Sequence, residues 1–200
     1  MDDLAINRPP AALAEIERRT GLFGFPMPSE PRTGALMRAL AAAKPGGHLL
    51  ELGTGTGLAT AWLLDGMDPS ATLVSVDIDP TAQAIAREVL GSDPRLEIIT
   101  EDAAAFLTRL TATGTAAARG SFDLVFADAM IGKYEMLDQT LSLLRPGGFY
   151  IIDDMLPQAS WPEGHGPRVP RLLATLADRA ELCLVSLAWS SGLVVAVRRG

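Results

Sequence analysis

Three glycines at alternate positions, Gly53, Gly55 and Gly57, stand where an apolar run ends and a helical pattern begins at 58–64. The apolar run predicts a buried strand, and the pattern after the glycines predicts a helix. Glycine lets the backbone approach a ligand, and a helix start presents unpaired N–H groups with a partial positive charge. The loop therefore predicts a site for a small anionic or zwitterionic cofactor. Glu51 precedes the turn, where it either fixes the loop or accepts a hydrogen bond from a cofactor amine.

An aspartate ends the second predicted strand. Asp77 lies 24 positions after Gly53 (77 − 53), where a carboxylate can accept two hydrogen bonds from ribose hydroxyls. The competing interpretation is a helix N-cap, for which Asp79, directly before Pro80, is the better candidate. Asp102 follows the third predicted strand and is a candidate N-cap in the same way.

Three further carboxylates follow the fourth and fifth predicted strands. Asp128 ends the fourth strand, and Asp153 and Asp154 end the fifth. If these strands are neighbours, the carboxylates converge and repel one another, which raises at least one pKa. A hard divalent cation such as Mg²⁺ or Ca²⁺ would relieve this repulsion, because it prefers oxygen ligands. The alternative is that Asp128 only holds a cofactor amine while Asp153 and Asp154 order the following loop.

A histidine follows these carboxylates in a loop rich in proline, glycine and tryptophan. His165 lies in the segment 157–167, which is expected to fold over the pocket, and histidine is suited to proton transfer near neutral pH. The alternative is an exposed loop residue. Trp161 of the same loop either forms an apolar wall for an aromatic substrate or covers the sheet.

Strand and helix signals alternate along most of the chain. The predicted strands span 49–53, 72–77, 95–100, 122–128, 148–153, 182–188 and 193–197. The predicted helices span 11–19, 33–43, 58–64, 80–90, 103–110, 134–144 and 169–180. Such alternation predicts an α/β fold with a doubly wound, seven-stranded, mostly parallel sheet. Because 189–192 is too short for a helical crossover, the last strand is expected to be antiparallel. The small-residue segment 111–120 is expected to be a surface loop.

Composition limits the classes of function. The chain has 200 residues, 48% of them apolar, a formal charge of −7 and one cysteine, Cys183. These values predict one compact domain, and the acidic balance argues against nucleic acid as the main partner. No apolar run has the length of a membrane span and the acidic start does not resemble a signal peptide, so we expect a cytoplasmic protein.

Four segments of the chain together carry a family resemblance. They are LELGTGTG at 50–57, VDIDP at 76–80, FDLVFADA at 122–129 and LRPGGFYIIDD at 144–154. In this order, on predicted strand ends, they resemble class I S-adenosylmethionine-dependent methyltransferases. Within that group they are similar to the small O-methyltransferases of the catechol and caffeoyl-CoA type. The resemblance runs from about Met27 to the C-terminus. It implies a Rossmann-like fold and methyl transfer to an oxygen of a small acceptor, for which an aromatic compound is one candidate.

The resemblance also implies roles for single residues. S-Adenosylmethionine would lie against a set of residues on the strand ends, with Asp102 and Ala103 near its adenine; the implied contacts are Glu51, Gly53, Gly55, Thr56, Asp77, Ile78, Asp102, Ala103 and Asp128. Catechol-type enzymes hold a metal with two aspartates and an asparagine, and here the third ligand would be Asp154 instead of asparagine. The family's lysine base, three positions after the first aspartate, is Ile131 here. Lys133 either reaches the site as a base or is a solvated surface lysine, and Asp128 and His165 are the other catalytic candidates.

Alternative functions fit parts of the pattern. A nicotinamide dehydrogenase requires Gly-x-Gly-x-x-Gly, but Leu58 stands where its last glycine is needed. A non-catalytic module that only binds the cofactor is suggested by the missing lysine, and a tRNA-modifying methyltransferase is a further alternative. The N-terminal helical segment 1–45 is expected to form a cap on a cofactor-binding domain at 46–200. Its irregular part, 23–30, is expected to close over the methionine end of the cofactor and to supply part of the acceptor pocket. A homodimer through the N-terminal segment is a further expectation.

Overall fold

The computed structural model describes residues 8–112, 120–161 and 163–200. Its helices are α1 (Leu13–Phe23), α2 (Pro31–Ala42), α3 (Leu58–Gly66), α4 (Pro80–Leu90), α5 (Ala103–Ala112), α6 (Leu137–Leu143) and α7 (Arg168–Ala177). Its strands are β1 (His48–Leu52), β2 (Thr72–Asp77), β3 (Leu96–Thr100), β4 (Phe122–Ala127), β5 (Leu144–Ile152), β6 (Leu182–Leu187) and β7 (Leu193–Arg198). None of the helices in these ranges has the length and apolar character needed to cross a lipid bilayer.

The strands form one seven-stranded sheet in the order β3-β2-β1-β4-β5-β7-β6. The pairs among β1 to β5 are parallel, and β7 runs antiparallel to both β5 and β6. The predicted α/β fold with an antiparallel last strand is therefore confirmed. The chain order reverses beside β1, between β1 and β4, which is where doubly wound sheets bind ligands beyond the strand ends.

The two faces of the sheet bury separate cores. Side chains alternate along β1, so that Leu49 packs on one face while Leu50 and Leu52 pack on the other. The Leu49 face is covered by α1 to α4, and the opposite face is covered by α5 to α7. Burial on both faces explains why the central strands are almost wholly apolar in sequence.

Helices α2 and α3 approach one another unusually closely at a glycine. A Cβ atom built on Gly34 would lie 2.1 Å from Cδ1 of Trp62, a side chain that is buried in the core of the Leu49 face. No real side chain tolerates such a distance, so Gly34 is required by packing. By contrast, Gly21 in α1 is exposed, and its Cβ would meet no atom within 4 Å.

These two helical glycines give a matched pair of substitutions. We expect Gly34→Ala to destabilise the protein by about 2 kcal/mol, because the new methyl group must displace the Trp62 ring. We expect Gly21→Ala to stabilise it by up to about 1 kcal/mol, because alanine favours the helix and meets open space. Urea unfolding of the two variants measures both effects. Equal effects would contradict the packing argument.

The structure corrects the predicted limits of two elements. The helix predicted at 134–144 begins only at Leu137, because Met136 before it adopts the left-handed conformation with φ 57°. The strand predicted at 148–153 begins at Leu144, which pairs with Phe122 before a register shift in the β4–β5 ladder. Residues 130–136 therefore form a turn and not the first turn of a helix, which changes where Lys133 lies.

Two smaller differences and one agreement concern loops. The first helix, predicted at 11–19, runs to Phe23 and ends at Gly24, whose φ of 72° suits a helix C-terminus. Helix α5 extends to Ala112 into the predicted loop 111–120, of which 113–119 lie outside the described residues. The loop predicted at 157–167 contains no helix or strand in its described part.

Candidate functional site

A cavity of about 360 Å³ lies at the carboxyl ends of β1, β2 and β4. Of the nine residues predicted to contact a cofactor, eight line it: Gly53, Gly55, Thr56, Asp77, Ile78, Asp102, Ala103 and Asp128. The ninth, Glu51, does not. The sequence pattern thus located a real concavity, and its position follows from the reversal of strand order.

The glycine loop forms the floor of this cavity. Gly53 has a φ of 105°, and a Cβ atom there would lie 2.8 Å from the backbone oxygen of Asp128. The loop therefore lies against the end of β4 at a distance that only glycine permits. Gly57 begins α3, also with a positive φ of 94° and with no side chain capping the helix. The N-terminus of α3 thus keeps its positive partial charge next to the cavity.

Asp77 fixes the glycine loop with one carboxylate oxygen and the start of the β2–α4 connection with the other. Its Oδ2 accepts a hydrogen bond from the Gly55 amide at 2.8 Å, and its Oδ1 accepts one from the Asp79 amide at 3.0 Å. Asp79, as predicted, is the N-cap of α4, because its side chain accepts from the amides of Thr81 and Ala82. Each Asp77 oxygen keeps a lone pair for a ligand.

The adjoining wall of the cavity comes from the ends of β2 and β3. Ile78 is 67% exposed and offers an apolar side chain next to Asp77. Asp102 accepts a hydrogen bond from the Ala105 amide at 2.9 Å and also lines the cavity beside Ala103. Its capping role and a ligand contact are therefore compatible.

Glu51 lies beneath the loop and not in the cavity. It is fully buried, and its Oε2 accepts hydrogen bonds from the hydroxyls of Thr60 and Ser75, while Oε1 has no partner among the described residues. Burial raises the pKa of Glu51 from its ordinary 4.5 to about 7. The Ser75 hydroxyl also shares a hydrogen bond of 2.7 Å with the hydroxyl of Thr54 in the glycine loop, so of the two predicted roles these contacts favour the fixing of the loop.

The segment before α2 covers the cavity from the other side. The ring of Phe25 lies 3.2 Å from the position of a Gly55 Cβ, and Met27 and Ser29 line the cavity. Ser29 also donates a hydrogen bond to Oδ2 of Asp128 at 3.0 Å. Phe25 therefore lies against the glycine loop, and closure of the segment 23–30 over the cofactor stays a prediction.

A second cavity of about 260 Å³ adjoins the first. Both cavities are lined by Ser29, Asp128 and Asp154, and the second adds Gln158 and Ser191. The last two residues were missed by the sequence analysis. Neither belongs to a local motif, because Gln158 comes from the loop after β5 and Ser191 from the β6–β7 turn, and only the tertiary fold brings them together.

Asp128, Asp153 and Asp154, here called the carboxylate cluster, lie at the junction of the two cavities. Burial, and then the charge of Asp153, raise the pKa of Asp128 well above its usual range, while Lys133 opposes this. Burial raises the pKa of Asp153 to about 6, against a hydrogen bond from Ser191 that lowers it. The expected rise in pKa is thus present, with burial as its first cause and repulsion as the second.

The geometry gives the predicted metal site no support. Within the described ranges, no group of three or more histidine, cysteine, aspartate or glutamate side chains is arranged to hold a metal ion. Oxygens of the carboxylate cluster are instead engaged by separate neighbours, which are Ser29 at Asp128, Ser191 at Asp153 and Gln158 at Asp154.

Lys133 is a buried residue. Its side chain is 2% exposed, its Nζ donates a hydrogen bond to the backbone oxygen of Asp153 at 3.1 Å, and Nζ lies 3.8 Å from Oδ2 of Asp154. The alternative of a solvated surface lysine is therefore wrong. Lys133 is also absent from the lining of these two cavities and instead lines a separate, more open cavity beside α6 and α7.

His165 is likewise buried, at 5% exposed, which contradicts the alternative of an exposed loop residue. Its Nε2 lies 3.0 Å from the hydroxyl of Tyr134, and its ring stacks on Trp161 with centroids 4.3 Å apart. Burial lowers the pKa of His165. Trp161 packs against the core of the α5–α7 face, and neither ring lines the two cavities, so this pair covers the sheet.

Residues 50–155, which include the glycine loop and the carboxylate cluster, match a family described as a methyltransferase domain. The chain belongs to this methyltransferase domain family. The resemblance inferred from four short segments is therefore confirmed at the level of the family.

Individual proteins similar to this chain carry the name O-methyltransferase. A provisionally named O-methyltransferase of Mycolicibacterium smegmatis is 35% identical over 127 residues, which is 61% of this chain and 57% of that protein. The chain thus spans little more than half the length of that relative. An O-methyltransferase of Bacillus cereus, solved with SAH, superposes with a TM-score of 0.82 at 21% identity, over 98% of this chain and 94% of that one. The O-methyltransferase TomG of Streptomyces achromogenes, solved with SAM, superposes with a TM-score of 0.80 at 25% identity. The superposition covers 98% of this chain and 93% of that one.

Proposed function

We propose that this methyltransferase transfers a methyl group from S-adenosylmethionine to an oxygen of a small acceptor. The observation that carries the proposal is the 360 Å³ cavity, in which the glycine loop, Asp77 and Asp128 line one space in a chain of the methyltransferase domain family. The cofactor supplies the hard chemistry, because its sulfonium makes the methyl group electrophilic. The protein has to bind the cofactor and the acceptor, align the acceptor oxygen with the methyl group, and accept the acceptor's proton.

The lining of the cavity supports a particular orientation of the cofactor. The ribose hydroxyls would donate hydrogen bonds to the free lone pairs of Asp77, and the adenine would lie between Ile78 and the Asp102–Ala103 corner. The methionine end would then extend along the glycine loop toward Asp128. The ammonium group of the cofactor would then be stabilised by the buried carboxylate of Asp128. The methionine carboxylate would be stabilised by the positive partial charge at the N-terminus of α3.

The second cavity is the proposed acceptor site. It meets the cofactor cavity at Ser29, Asp128 and Asp154, so an acceptor hydroxyl at the junction would face the methyl group. The oxygen lone pair forms the new C–O bond while the C–S bond breaks and its electrons return to sulfur. Of the three catalytic candidates, Asp128 lines both cavities and Lys133 and His165 line neither. We therefore assign the acceptor's proton to the Asp128 carboxylate, which passes it on to solvent.

Metal-assisted transfer with Mg²⁺ or Ca²⁺ is not part of this proposal. A cation that chelates two acceptor oxygens would need several oxygens directed at one point. The oxygens of the carboxylate cluster are held by different hydrogen-bond donors, and an ammonium group lies beside them. The residues present do not fit the metal, and the steps above require none.

Calorimetry with purified protein tests the proposed cofactor. We expect S-adenosylmethionine and S-adenosylhomocysteine to bind with a dissociation constant of about 1–100 μM, corresponding to roughly 5–8 kcal/mol. NAD is expected to give no heat, because Leu58 replaces the last glycine of a dinucleotide site. Binding of NAD without binding of either adenosyl compound would contradict the proposal. Transfer of a labelled methyl group to a panel of small hydroxylated acceptors separates an enzyme from a module that only binds the cofactor.

A further inference from the structure

The chain contains only two lysines, Lys44 and Lys133, and one of them is buried among carboxylates. Lys133 is 2% exposed, with Nζ 3.1 Å from the backbone oxygen of Asp153 and 3.8 Å from Oδ2 of Asp154. An ammonium group is buried in proteins only when it is paired and hydrogen-bonded. The hydrogen bond is with the backbone of Asp153, and the carboxylate of Asp154 is the ion-pair partner of this cation.

The turn that carries Lys133 is fixed by two contacts with the sheet and by one hydrogen bond within the turn. The backbone oxygen of Gly132 accepts a hydrogen bond from the buried hydroxyl of Tyr150, and its amide donates to the backbone oxygen of Glu135 at 2.8 Å. Gly132 has a φ of 94°, and a Cβ atom there would lie 2.5 Å from Cδ1 of Leu52. Because β1, β5 and the turn itself hold Gly132, the neighbouring Lys133 is delivered to the ends of β4 and β5.

The carboxylate oxygens are oriented by hydrogen bonds that no metal would use. Ser29 donates to Asp128, Gln158 donates to Asp154, and Asp153 accepts from both Ser191 and the Asp154 amide. A divalent cation such as Mg²⁺ requires near-octahedral oxygens at about 2.0–2.1 Å. These donors engage one oxygen of each carboxylate and orient the three groups separately, and a cation bound by the remaining oxygens would lie beside a buried ammonium group of the same sign.

We propose that the ammonium group of Lys133 takes the place of a divalent cation at the carboxylate cluster, so that the protein binds its cofactor without a metal ion. That methyl transfer is also metal-independent rests on the function proposed above. Lys133 is then a positioning residue, which compensates the charge of Asp153 and Asp154 from behind the cavities and keeps Asp128 and Asp154 directed toward the junction.

The wild-type protein is tested with Mn²⁺ and Mg²⁺ as probes. We expect neither cation to give calorimetric heat or to raise the melting temperature, and S-adenosylhomocysteine to bind equally well in EDTA and in Mn²⁺. Heat from Mn²⁺ that disappears in Asp154→Asn would overturn the inference. Failure of S-adenosylhomocysteine to bind under any condition would count against the proposed function instead, and the metal titration would still decide the role of Lys133.

Variants of the two lysines make the test reciprocal. We expect Lys133→Met to lower the melting temperature by about 10 °C, because it leaves buried carboxylates unpaired. Millimolar Mn²⁺ should then recover about 5 °C in this variant. Lys44→Met is the matched control, since Lys44 lies at the opposite end of β1, where its Nζ donates to Gly147 and lies over the Phe149 ring. It should not respond to Mn²⁺, and a Lys133→Met variant that also fails to respond would overturn the inference.

A double variant keeps the test valid if Lys133→Met does not fold. Lys133→Met with Asp154→Asn removes one charge of each sign, so charge compensation predicts that it is more stable than Lys133→Met alone. A double variant that is no more stable than the single one would mean that Lys133 acts through packing, which would contradict the proposal.

Discussion

Replacing Asp77 with alanine is expected to weaken the binding of S-adenosylhomocysteine by about 100-fold, or roughly 2.7 kcal/mol. The carboxylate lines the cavity and would accept the two ribose hydroxyls with charge-assisted hydrogen bonds. It also holds the Gly55 amide at 2.8 Å, so its loss removes an anchor of the glycine loop as well. Isothermal titration calorimetry measures the change directly.

Asp79→Asn is the matched control for this prediction. It removes the same charge two residues along, at the wall of the same cavity, and asparagine caps a helix about as well as aspartate. We expect its affinity for S-adenosylhomocysteine to lie within about twofold of wild type. A comparable loss in both variants would mean that charge at the cavity, and not the position of Asp77, determines binding.

A second ligand separates the two contributions of Asp77. In the wild-type protein, 2′,3′-dideoxyadenosine should bind more weakly than adenosine, because it lacks the hydroxyls that would reach Asp77. In Asp77→Ala the two nucleosides should bind alike. Removing the ribose hydroxyls and removing the Asp77 carboxylate each cost binding free energy. If the two costs are additive in the doubly changed pair, Asp77 acts only through the loop and the proposed ribose contact is wrong.

The 360 Å³ cavity, proposed to hold the cofactor, could be predicted from sequence because the residues that form its floor are close together in the chain. A strand, a glycine turn and a helix follow one another without interruption at 48–66, and Asp77 and Asp79 are two residues apart with different tasks. In a doubly wound sheet such segments meet at one edge once the strand order is known. Eight of the nine predicted contact residues therefore line the cavity.

The positions of Lys133 and His165, unlike that of Asp128, could not be predicted in the same way, because their burial is decided by the tertiary fold. Lys133 lies in a turn whose shape depends on the left-handed conformation of Met136 and on the contact of Gly132 with Leu52. Nothing in the local sequence distinguishes a buried lysine there from a surface lysine. His165 was placed by its stacking on Trp161, from a loop without regular structure.

The second cavity, the proposed acceptor site, was the part least predictable from sequence. It is assembled from the N-terminal segment, the loop after β5 and the β6–β7 turn, which are far apart in the chain. Gln158 and Ser191 carry no motif, and their positions depend on how three loops pack. Variable loops of this kind set the substrate in many folds, so the identity of the acceptor does not follow from the fold.

Glu51→Gln is expected to change how the stability of the protein depends on pH. In the folded state burial raises the pKa of Glu51 to about 7, from an ordinary value of 4.5 that applies to the unfolded chain. Between these values the folded protein holds a proton that the unfolded chain has lost, so the free energy of unfolding falls as pH rises toward 7. Between pH 5.5 and pH 8 this single group should cost the wild type about 2 kcal/mol.

Glutamine carries no charge at any of these pH values, so the variant should not pay this cost. Urea unfolding at a series of pH values should show Glu51→Gln gaining about 2 kcal/mol relative to wild type between pH 5.5 and pH 8. Any constant penalty from the unpaired amide of glutamine cancels in this comparison. Exposed Glu17 provides the control, since Glu17→Gln should leave the pH profile unchanged. Parallel profiles for wild type and Glu51→Gln would mean that the Glu51 carboxylate is already ionised at pH 5.5, and that hydrogen bonds from Thr60 and Ser75 outweigh its burial.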